Sequence, residues 1–300
     1  MSQKAVTSVE ALKEGMPWYA KIAIKLVMAR LPVPYGVWAR LRLIRHGDMD
    51  KPEIAIANFE SALKAAGRGP RVDGLSVLEI GPGDALSTAV VARALGAREV
   101  TLVDAGRFAR QDLAPYNALI AALCARGHDV TALEGVASPD DLLARCNARY
   151  LTDGVKSFAS VPTGSVDFIC SNAVLEHVRI AEFPAMLREL RRVTAPTGNA
   201  FHIIDLQDHL AHGLNNLRFP TWLWEASFMA RSGFYTNRIR YTDMLGRLRA
   251  AGYTVEVTRV RRFTGTPKPL RAKLAPPFRT LSDEELGVSD FDVVLTPKPL

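Results

Sequence analysis

The sequence feature that most constrains the fold is the stretch "SVLEIGPGDALSTAVVARALGAREVTLVDAG", which begins at Ser76. An apolar run ends at Gly81 and Gly83, a helix-like pattern follows, and a second apolar run ends at Asp104. Glycines allow a tight turn and a close approach to a ligand, and the next helix offers unpaired N–H groups at its N-terminus. An acid at the end of the second strand can accept hydrogen bonds from ribose hydroxyls. The stretch therefore predicts a βαβ unit that binds a nucleoside.

The rest of the chain repeats this alternation. From about residue 75, short apolar runs alternate with helix-length patterns, which predicts βαβ units and a mostly parallel sheet. The predicted strands are 76–80, 99–104, 129–133, 166–171, 199–206, 253–263 and 290–297. The predicted helices are 84–95, 115–126, 139–148, 180–194 and 241–252. Together these patterns predict a seven-stranded sheet covered by helices.

Two segments lie outside this alternation. Residues 1–67 have a helical pattern and end in the turn-rich "AAGRGPRVDG", so we expect a helical N-terminal cap before a main domain at 68–300. Residues 207–240 are rich in aromatic residues, His and Asn, and are expected to form a lid inserted over the edge of the sheet. The cap segment could also suit a membrane surface, but Arg30 breaks its basic helical face, which favours a packed cap.

Composition limits the class of protein. The chain has 300 residues, is 48% hydrophobic and 23% charged, and so can bury a full core. It contains no run of 18 apolar residues and no secretory signal pattern, and its three cysteines are widely spaced. We therefore expect a cytoplasmic protein with buried free thiols.

The net charge of +7 is concentrated in the basic segment 259–279. That segment is rich in proline and has only two aromatic residues for base stacking. An acidic small substrate or a solvated loop explains it better than nucleic acid does.

The glycine loop distinguishes between cofactor classes. A dinucleotide fingerprint needs a third glycine where Leu86 stands, which counts against an NAD(P)-dependent oxidoreductase. "LEIGPGD" instead resembles motif I of class I S-adenosylmethionine-dependent methyltransferases, with Ala85 in place of the last glycine. "VDFICSNAVLEHV" is close to the fourth-strand pattern of the methyltransferase type 11 group, and "MLRELRRVTAPTGNAFHIID" is similar to its next helix and fifth strand. The resemblance covers residues 75–206.

The resemblance implies a Rossmann-like three-layer α/β/α sandwich and S-adenosylmethionine as cofactor. The methionine part would face Glu79, Gly81 and Gly83, and the ribose would bind Asp104. The adenine would lie near the end of the third strand, and the methyl donor would meet the acceptor at the end of the fourth. The implied cofactor contacts are Glu79, Gly81, Gly83, Asp104, Gly135, Val136, Ser171 and Asn172.

Methyl transfer requires an aligned acceptor and, for a hydroxyl acceptor, a general base. Candidate bases near the strand ends are His177, Asp208, His209 and His212, and we expect His209 and His177 to be the catalytic residues. A metal held by Asp205, Asp208 and His209 is not expected, because their spacing matches no strong ligand motif.

The lid supplies candidate substrate contacts, since aromatic walls with a few polar groups are typical of small-molecule sites. The expected contacts are Asp208, Trp222, Tyr235, Asn237 and Arg240. The alternative is that these aromatic residues only pack the lid onto the sheet. We expect methyl transfer to a small molecule at an oxygen, hydroxyl or carboxyl. An inactive S-adenosylmethionine-binding protein and an NAD(P)-dependent oxidoreductase are the alternatives.

Overall fold

A computed structural model describes residues 16–28, 48–267 and 269–299. Its sheet has seven strands in the order β3-β2-β1-β4-β5-β7-β6. The strands are β1 (Ser76–Ile80), β2 (Glu99–Val103), β3 (Ala148–Leu151), β4 (Val166–Asn172), β5 (Thr194–Asp205), β6 (Tyr253–Arg262) and β7 (Val288–Pro297). β1 to β5 run parallel, and β7 pairs antiparallel with both β5 and β6. The predicted seven-stranded, mostly parallel sheet is confirmed.

The helices flank this sheet or form the connections at its edge. In the described part of the chain the longer helices are α1 (Trp18–Met28), α2 (Pro52–Ala65), α3 (Ser87–Ala94), α4 (Ala114–Ala125), α5 (Pro139–Arg145), α6 (Phe183–Val193) and α9 (Tyr241–Ala250). The short helices are α7 (Thr221–Trp224), α8 (Ser227–Ala230), α10 (Pro276–Arg279) and α11 (Asp283–Gly287).

The core lies on both faces of the sheet. All five residues of β1 are buried, as expected for a central parallel strand covered on both sides. One face packs against α2, α3 and α4, and the other packs against α6 and α9. α2 lies within the expected cap but contributes Ile56 and Phe59 to the core of the sheet. The cap boundary at residue 67 stays a prediction, because residues 1–15 and 29–47 lie outside the described residues.

Within the described ranges, the third strand is the element that the sequence misplaced. The strand predicted at 129–133 is wrong, since Thr131–Leu133 is a 3₁₀ turn and the third strand is β3. Asp129 accepts a hydrogen bond from the Thr131 N–H at 3.0 Å, which favours a turn. β3 is an edge strand with half-exposed residues, so it lacks the apolar run of a buried strand.

The lid segment between β5 and α9 has its own small core. Trp224, Phe234 and Tyr235 pack together there, and α1 packs Trp18 and Ile22 against the same cluster. Cys146 and Cys170 are buried as expected, but Cys124 is exposed. No helix among the described residues is long and apolar enough to cross a membrane.

Candidate functional site

The glycine loop lies at the carboxyl end of β1. Gly81 and Gly83 have φ angles of 72° and 65°, a left-handed conformation that strains other residues. A Cβ on Gly81 would lie 2.5 Å from Cγ2 of Val174. The loop therefore needs glycine for its backbone conformation, and also for its close contact with the segment that follows β4.

Asp104 ties the glycine loop to the end of β2. Its Oδ2 accepts a hydrogen bond from the Gly83 N–H at 3.0 Å, and its Oδ1 accepts one from the Ala105 N–H at 2.7 Å. These bonds hold the carboxylate in one orientation beside the loop. Asp104 thus lies beside the glycine loop, and its binding of a ribose stays a prediction.

Glu79 is a buried acid of this edge, a residue only 7% exposed. Burial raises its pKa to about 8; a hydrogen bond with Thr88 opposes the rise, and the charge of Asp104 adds to it. Its Oε2 is buried and has no hydrogen-bond partner among the described residues. A buried carboxylate oxygen without a hydrogen-bond partner suits a positively charged ligand group.

Together these features fit S-adenosylmethionine. The molecule has an amino group that an unsatisfied carboxylate such as that of Glu79 could bind, and a ribose that an acid such as Asp104 could bind. The left-handed backbone of Gly81 and Gly83 forms the tight turn between β1 and α3 that such a cofactor loop needs.

The end of β4 lies next to this loop, because Ser171 pairs with Ile80 in the parallel register. The Ser171 hydroxyl bonds to Nδ1 of His202 at 2.7 Å, and burial lowers the pKa of His202 to about 3. Asn172 is exposed, and Ala173 has a φ of 54°, a strained conformation for a residue with a side chain. Strain of this kind is concentrated at functional sites.

The structure changes the expectation for the adenine contacts. Gly135 and Val136 follow the Thr131–Leu133 turn rather than a strand, so the reason for placing them at the adenine is lost. The segment after β3 lies next to β2 instead, and the Gly154 N–H donates to the Asp104 carbonyl oxygen at 2.8 Å. Asp153 lies in this segment and is exposed, and the sequence analysis did not single it out.

The two histidines predicted to be catalytic lie together. The rings of His177 and His209 stack with centroids 4.8 Å apart and planes at 17°. Nδ1 of His177 bonds to the carbonyl oxygen of Tyr235 at 2.8 Å. Lys25 of α1 donates to the His209 carbonyl oxygen at 3.3 Å, so α1 contacts the loop that carries this histidine. His212, the other candidate histidine, is exposed and has a φ of 52°.

Glu176 joins this pair and was not predicted. Its side chain is 2% exposed, and its Oε1 accepts a hydrogen bond from the Asp205 N–H at 3.3 Å. Burial raises its pKa well above the ordinary value. A cavity of about 10 Å³, enough for about one water molecule, lies beside Glu176, Asp205 and Arg240. In the sequence, the one sign that Glu176 lies near the two histidines is its position beside His177 in "LEHV".

Asp208, predicted as a substrate contact and candidate base, organises its own loop instead. The side chain is 0% exposed. Its two oxygens accept five hydrogen bonds, from the backbone of Leu210, Ala211, Gly213 and Asn215 and from the Asn215 side chain. A carboxylate bonded in this way is not available to a substrate, so the prediction is corrected to a structural role.

Asn237 and Arg240 are also occupied by the backbone. The Asn237 amide donates to the carbonyl oxygens of Leu175 and Val178 at 2.8 and 3.0 Å. The Arg240 guanidinium donates to the Leu206 carbonyl oxygen at 2.7 Å, and burial lowers its pKa to about 10. Both side chains hold the lid against the sheet, which corrects the prediction that they bind substrate.

The two aromatic residues predicted to contact the substrate, Tyr235 and Trp222, differ in burial. Tyr235 is 3% exposed, and its hydroxyl donates to Glu225 at 3.0 Å and accepts from the Ile180 N–H at 3.3 Å. Trp222 is 75% exposed and lies on the surface of the lid. Tyr235 therefore packs the lid and does not face a substrate, which is the alternative that the sequence left open.

The sheet order, the antiparallel β7 and the glycine loop after β1 define a class I S-adenosylmethionine-dependent methyltransferase fold. The sequence matches the family Methyltransf_23, a methyltransferase domain, over residues 53–257. This range is more than half of the chain, so the chain belongs to that family. The segments that resemble the type 11 group lie within the matched range from residue 75 to 206.

Solved structures with a similar fold include the YcgJ protein of Bacillus subtilis, with 13% identity, coverage of 83% of this chain and 100% of that chain, and a TM-score of 0.45. A putative methyltransferase in complex with the Haloferax volcanii Trm112 activator has 13% identity, coverage of 88% and 98%, and a TM-score of 0.44. The 1,6-didemethyltoxoflavin-N1-methyltransferase of Burkholderia thailandensis has 13% identity, coverage of 83% and 80%, and a TM-score of 0.42. At these scores the likenesses carry no functional argument. No curated protein matches the chain.

Proposed function

We propose that the protein transfers the methyl group of S-adenosylmethionine to an oxygen, hydroxyl or carboxyl, of a small-molecule acceptor. The observation that carries the proposal is the contact between Gly81 and Val174. This contact brings the glycine loop against the short segment that carries Glu176 and His177. Cofactor and acceptor chemistry would then meet at one edge of the sheet.

On this proposal Glu79 binds the amino group of the cofactor and Asp104 binds its ribose. Ser171 and Asn172 lie beside the glycine loop, at the end of β4. The cofactor supplies a methyl group that is already activated, so the protein mainly aligns the acceptor and manages its proton.

The stacked histidines favour an oxygen acceptor. A hydroxyl must lose a proton on methylation, whereas a neutral amine has a lone pair ready to react. The Tyr235 carbonyl oxygen can only accept a hydrogen bond, so Nδ1 of His177 carries a proton and Nε2 is the nitrogen that would act as the base. Neutral imidazoles can help to remove a proton near pH 7.

The proposal is tested by assaying methyl transfer to a panel of hydroxylated, carboxylated and amine compounds. The expected result is turnover of at least one oxygen acceptor, with a loss of about 10²–10⁴-fold in His209→Ala and little change in cofactor affinity. Turnover of amines alone would contradict the oxygen assignment. Cofactor binding without turnover of any acceptor would favour an inactive binding protein.

A further inference from the structure

Glu176, His177 and His209 form a cluster at the lid side of the sheet edge. One ligand atom from each residue lies within 4.8 Å of the other two. Glu176 is buried, His209 is half-buried and His177 is exposed, so the cluster reaches from the interior to solvent. An ion held there would have both a buried anchor and an accessible face.

The chemistry of each donor suits a metal ion. The bond between Nδ1 of His177 and the Tyr235 carbonyl oxygen orients the ring at the cluster. Metal-binding histidines commonly donate their second ring N–H to a carbonyl or carboxylate in this way. Oε2 of Glu176 is buried and has no hydrogen-bond partner among the described residues. A positive ion is one group that can satisfy such an oxygen.

We propose that Glu176, His177 and His209 bind one Zn²⁺ ion and leave a coordination position open toward the acceptor. Two imidazoles with one carboxylate form a donor set that suits Zn²⁺, whereas Mg²⁺ and Ca²⁺ prefer oxygen ligands. Binding of the ion does not depend on methyl transfer; only its role rests on the proposed function. With both imidazoles coordinated, the ion would acidify an acceptor hydroxyl and so take the place of a histidine base.

Binding requires a defined local change. Ligands of a tetrahedral Zn²⁺ ion lie roughly 3.4 Å apart, closer than the outer limit of this cluster. The two rings are nearly parallel, which points their lone pairs side by side rather than at one ion. His177 is held by the Tyr235 carbonyl oxygen, so the ring of His209 is the one that must turn.

The loop of His209 is built to hold that residue in place. Oδ1 of Asp208 accepts hydrogen bonds from the N–H groups of Leu210 and Ala211, at 2.9 and 2.6 Å. Lys25 fixes the His209 carbonyl oxygen from the other side. The backbone of the third ligand is thus fixed, and only its side chain needs to rotate.

The test is Zn²⁺ binding by the full chain after removal of metal with a chelator. Titration against a chromophoric chelator should give one tight site per chain. Glu176→Gln, His177→Ala and His209→Ala should each weaken binding more than about 100-fold, since loss of a second-shell partner alone costs 10–100-fold. His128→Ala, a histidine outside the cluster, is the control and should bind Zn²⁺ as the wild type does.

A second measurement does not depend on the folding of any variant. The wild type loaded with Co²⁺ should show the strong visible absorption of four- or five-coordinate cobalt, and excess Zn²⁺ should abolish it. A spectrum of hydrated Co²⁺, or Zn²⁺ binding unchanged in Glu176→Gln and His209→Ala, would overturn the proposal. Methyl transfer by a protein that binds no Zn²⁺ would overturn this site and leave the proposed function standing. Zn²⁺ binding without methyl transfer to any acceptor would support this site and contradict the proposed function.

Discussion

The glycine-loop edge (residues 76–104) and the lid (residues 207–240) are both rich in polar groups but use them differently. At the glycine-loop edge, Oε2 of Glu79 has no partner among the described residues. In the lid, Asp208 accepts five hydrogen bonds from its own loop. The Asn237 amide likewise binds two carbonyl oxygens. The first region has a buried polar atom that a ligand could bind. In the second region, these polar side chains form hydrogen bonds within the protein.

This difference has a physical basis. The lid has little regular structure, so side chains must satisfy the backbone groups that a sheet or helix would satisfy itself. The glycine loop connects a buried strand to a helix, and its backbone is held by β1, β2 and α3. Side chains at that edge can therefore point toward a ligand.

The sharpest test of the lid's role is Asp208→Ala. The substitution leaves five donors without their acceptor, four of them in buried hydrogen bonds. Each unsatisfied buried group costs about 1–3 kcal/mol, reduced where water enters. We expect the free energy of unfolding, measured in urea, to fall by about 3–5 kcal/mol. Asp140→Ala removes an exposed carboxylate paired with Arg107 and should leave the unfolding midpoint unchanged. A stable Asp208→Ala protein would remove the contrast between the two regions.

The second test uses the pKa of Glu79, which burial raises to about 8. Between its ordinary value near 4.5 and about 8, the folded protein keeps a proton that the unfolded chain releases. Stability should therefore fall as pH rises through this range. Glu79→Gln has no such proton and should be more stable than the wild type at pH 8 by roughly 2–4 kcal/mol. If the stability of the two proteins changed in parallel from pH 5 to 8, the pKa of Glu79 would not be raised by burial.

The third test concerns Asp104. Asp104→Ala should weaken S-adenosylhomocysteine binding by about 10- to 100-fold, since charge-assisted hydrogen bonds contribute about 1.5–3 kcal/mol. Asp112→Ala, which changes an exposed acid of the same connection, is the matched control and should bind normally. Equal affinities in the two folded variants would place the ribose elsewhere.

The smallest effect is expected after β3. Asp153→Ala should weaken S-adenosylhomocysteine binding by about fivefold, roughly 1 kcal/mol for one exposed hydrogen bond. Glu134→Ala, next to Gly135 and Val136, the residues that the sequence first indicated for the adenine, should have no effect. The opposite pattern would mean that the turn at residues 131–133 faces the cofactor although it is not a strand.

The sequence predicted what depends on local patterns and missed what depends on distant partners. The positions of Gly81 and Asp104 were predictable, because turn geometry and a strand end determine them within one βαβ unit. β3 was not, since edge strands need no apolar run and Asp129 begins a turn where a strand was expected. In the lid, Asn237 looked like a free donor because its partners, Leu175 and Val178, are about 60 residues away.

His177 and His209 were predicted only in part from the sequence. Each was identified from its position after a strand, but neither the stacking of their rings nor the presence of Glu176 could be deduced. Their proximity depends on how the lid folds back over the end of β4. Tyr235 of the lid contributes to it by accepting the hydrogen bond of His177.

The central claim is that the glycine-loop edge binds S-adenosylmethionine, and calorimetry with the purified full chain tests it most directly. S-adenosylhomocysteine should bind one site per chain with micromolar affinity, about 7–9 kcal/mol. NAD should give little heat under the same conditions. Tighter binding of NAD, or S-adenosylhomocysteine binding that Asp104→Ala leaves unchanged, would contradict the account.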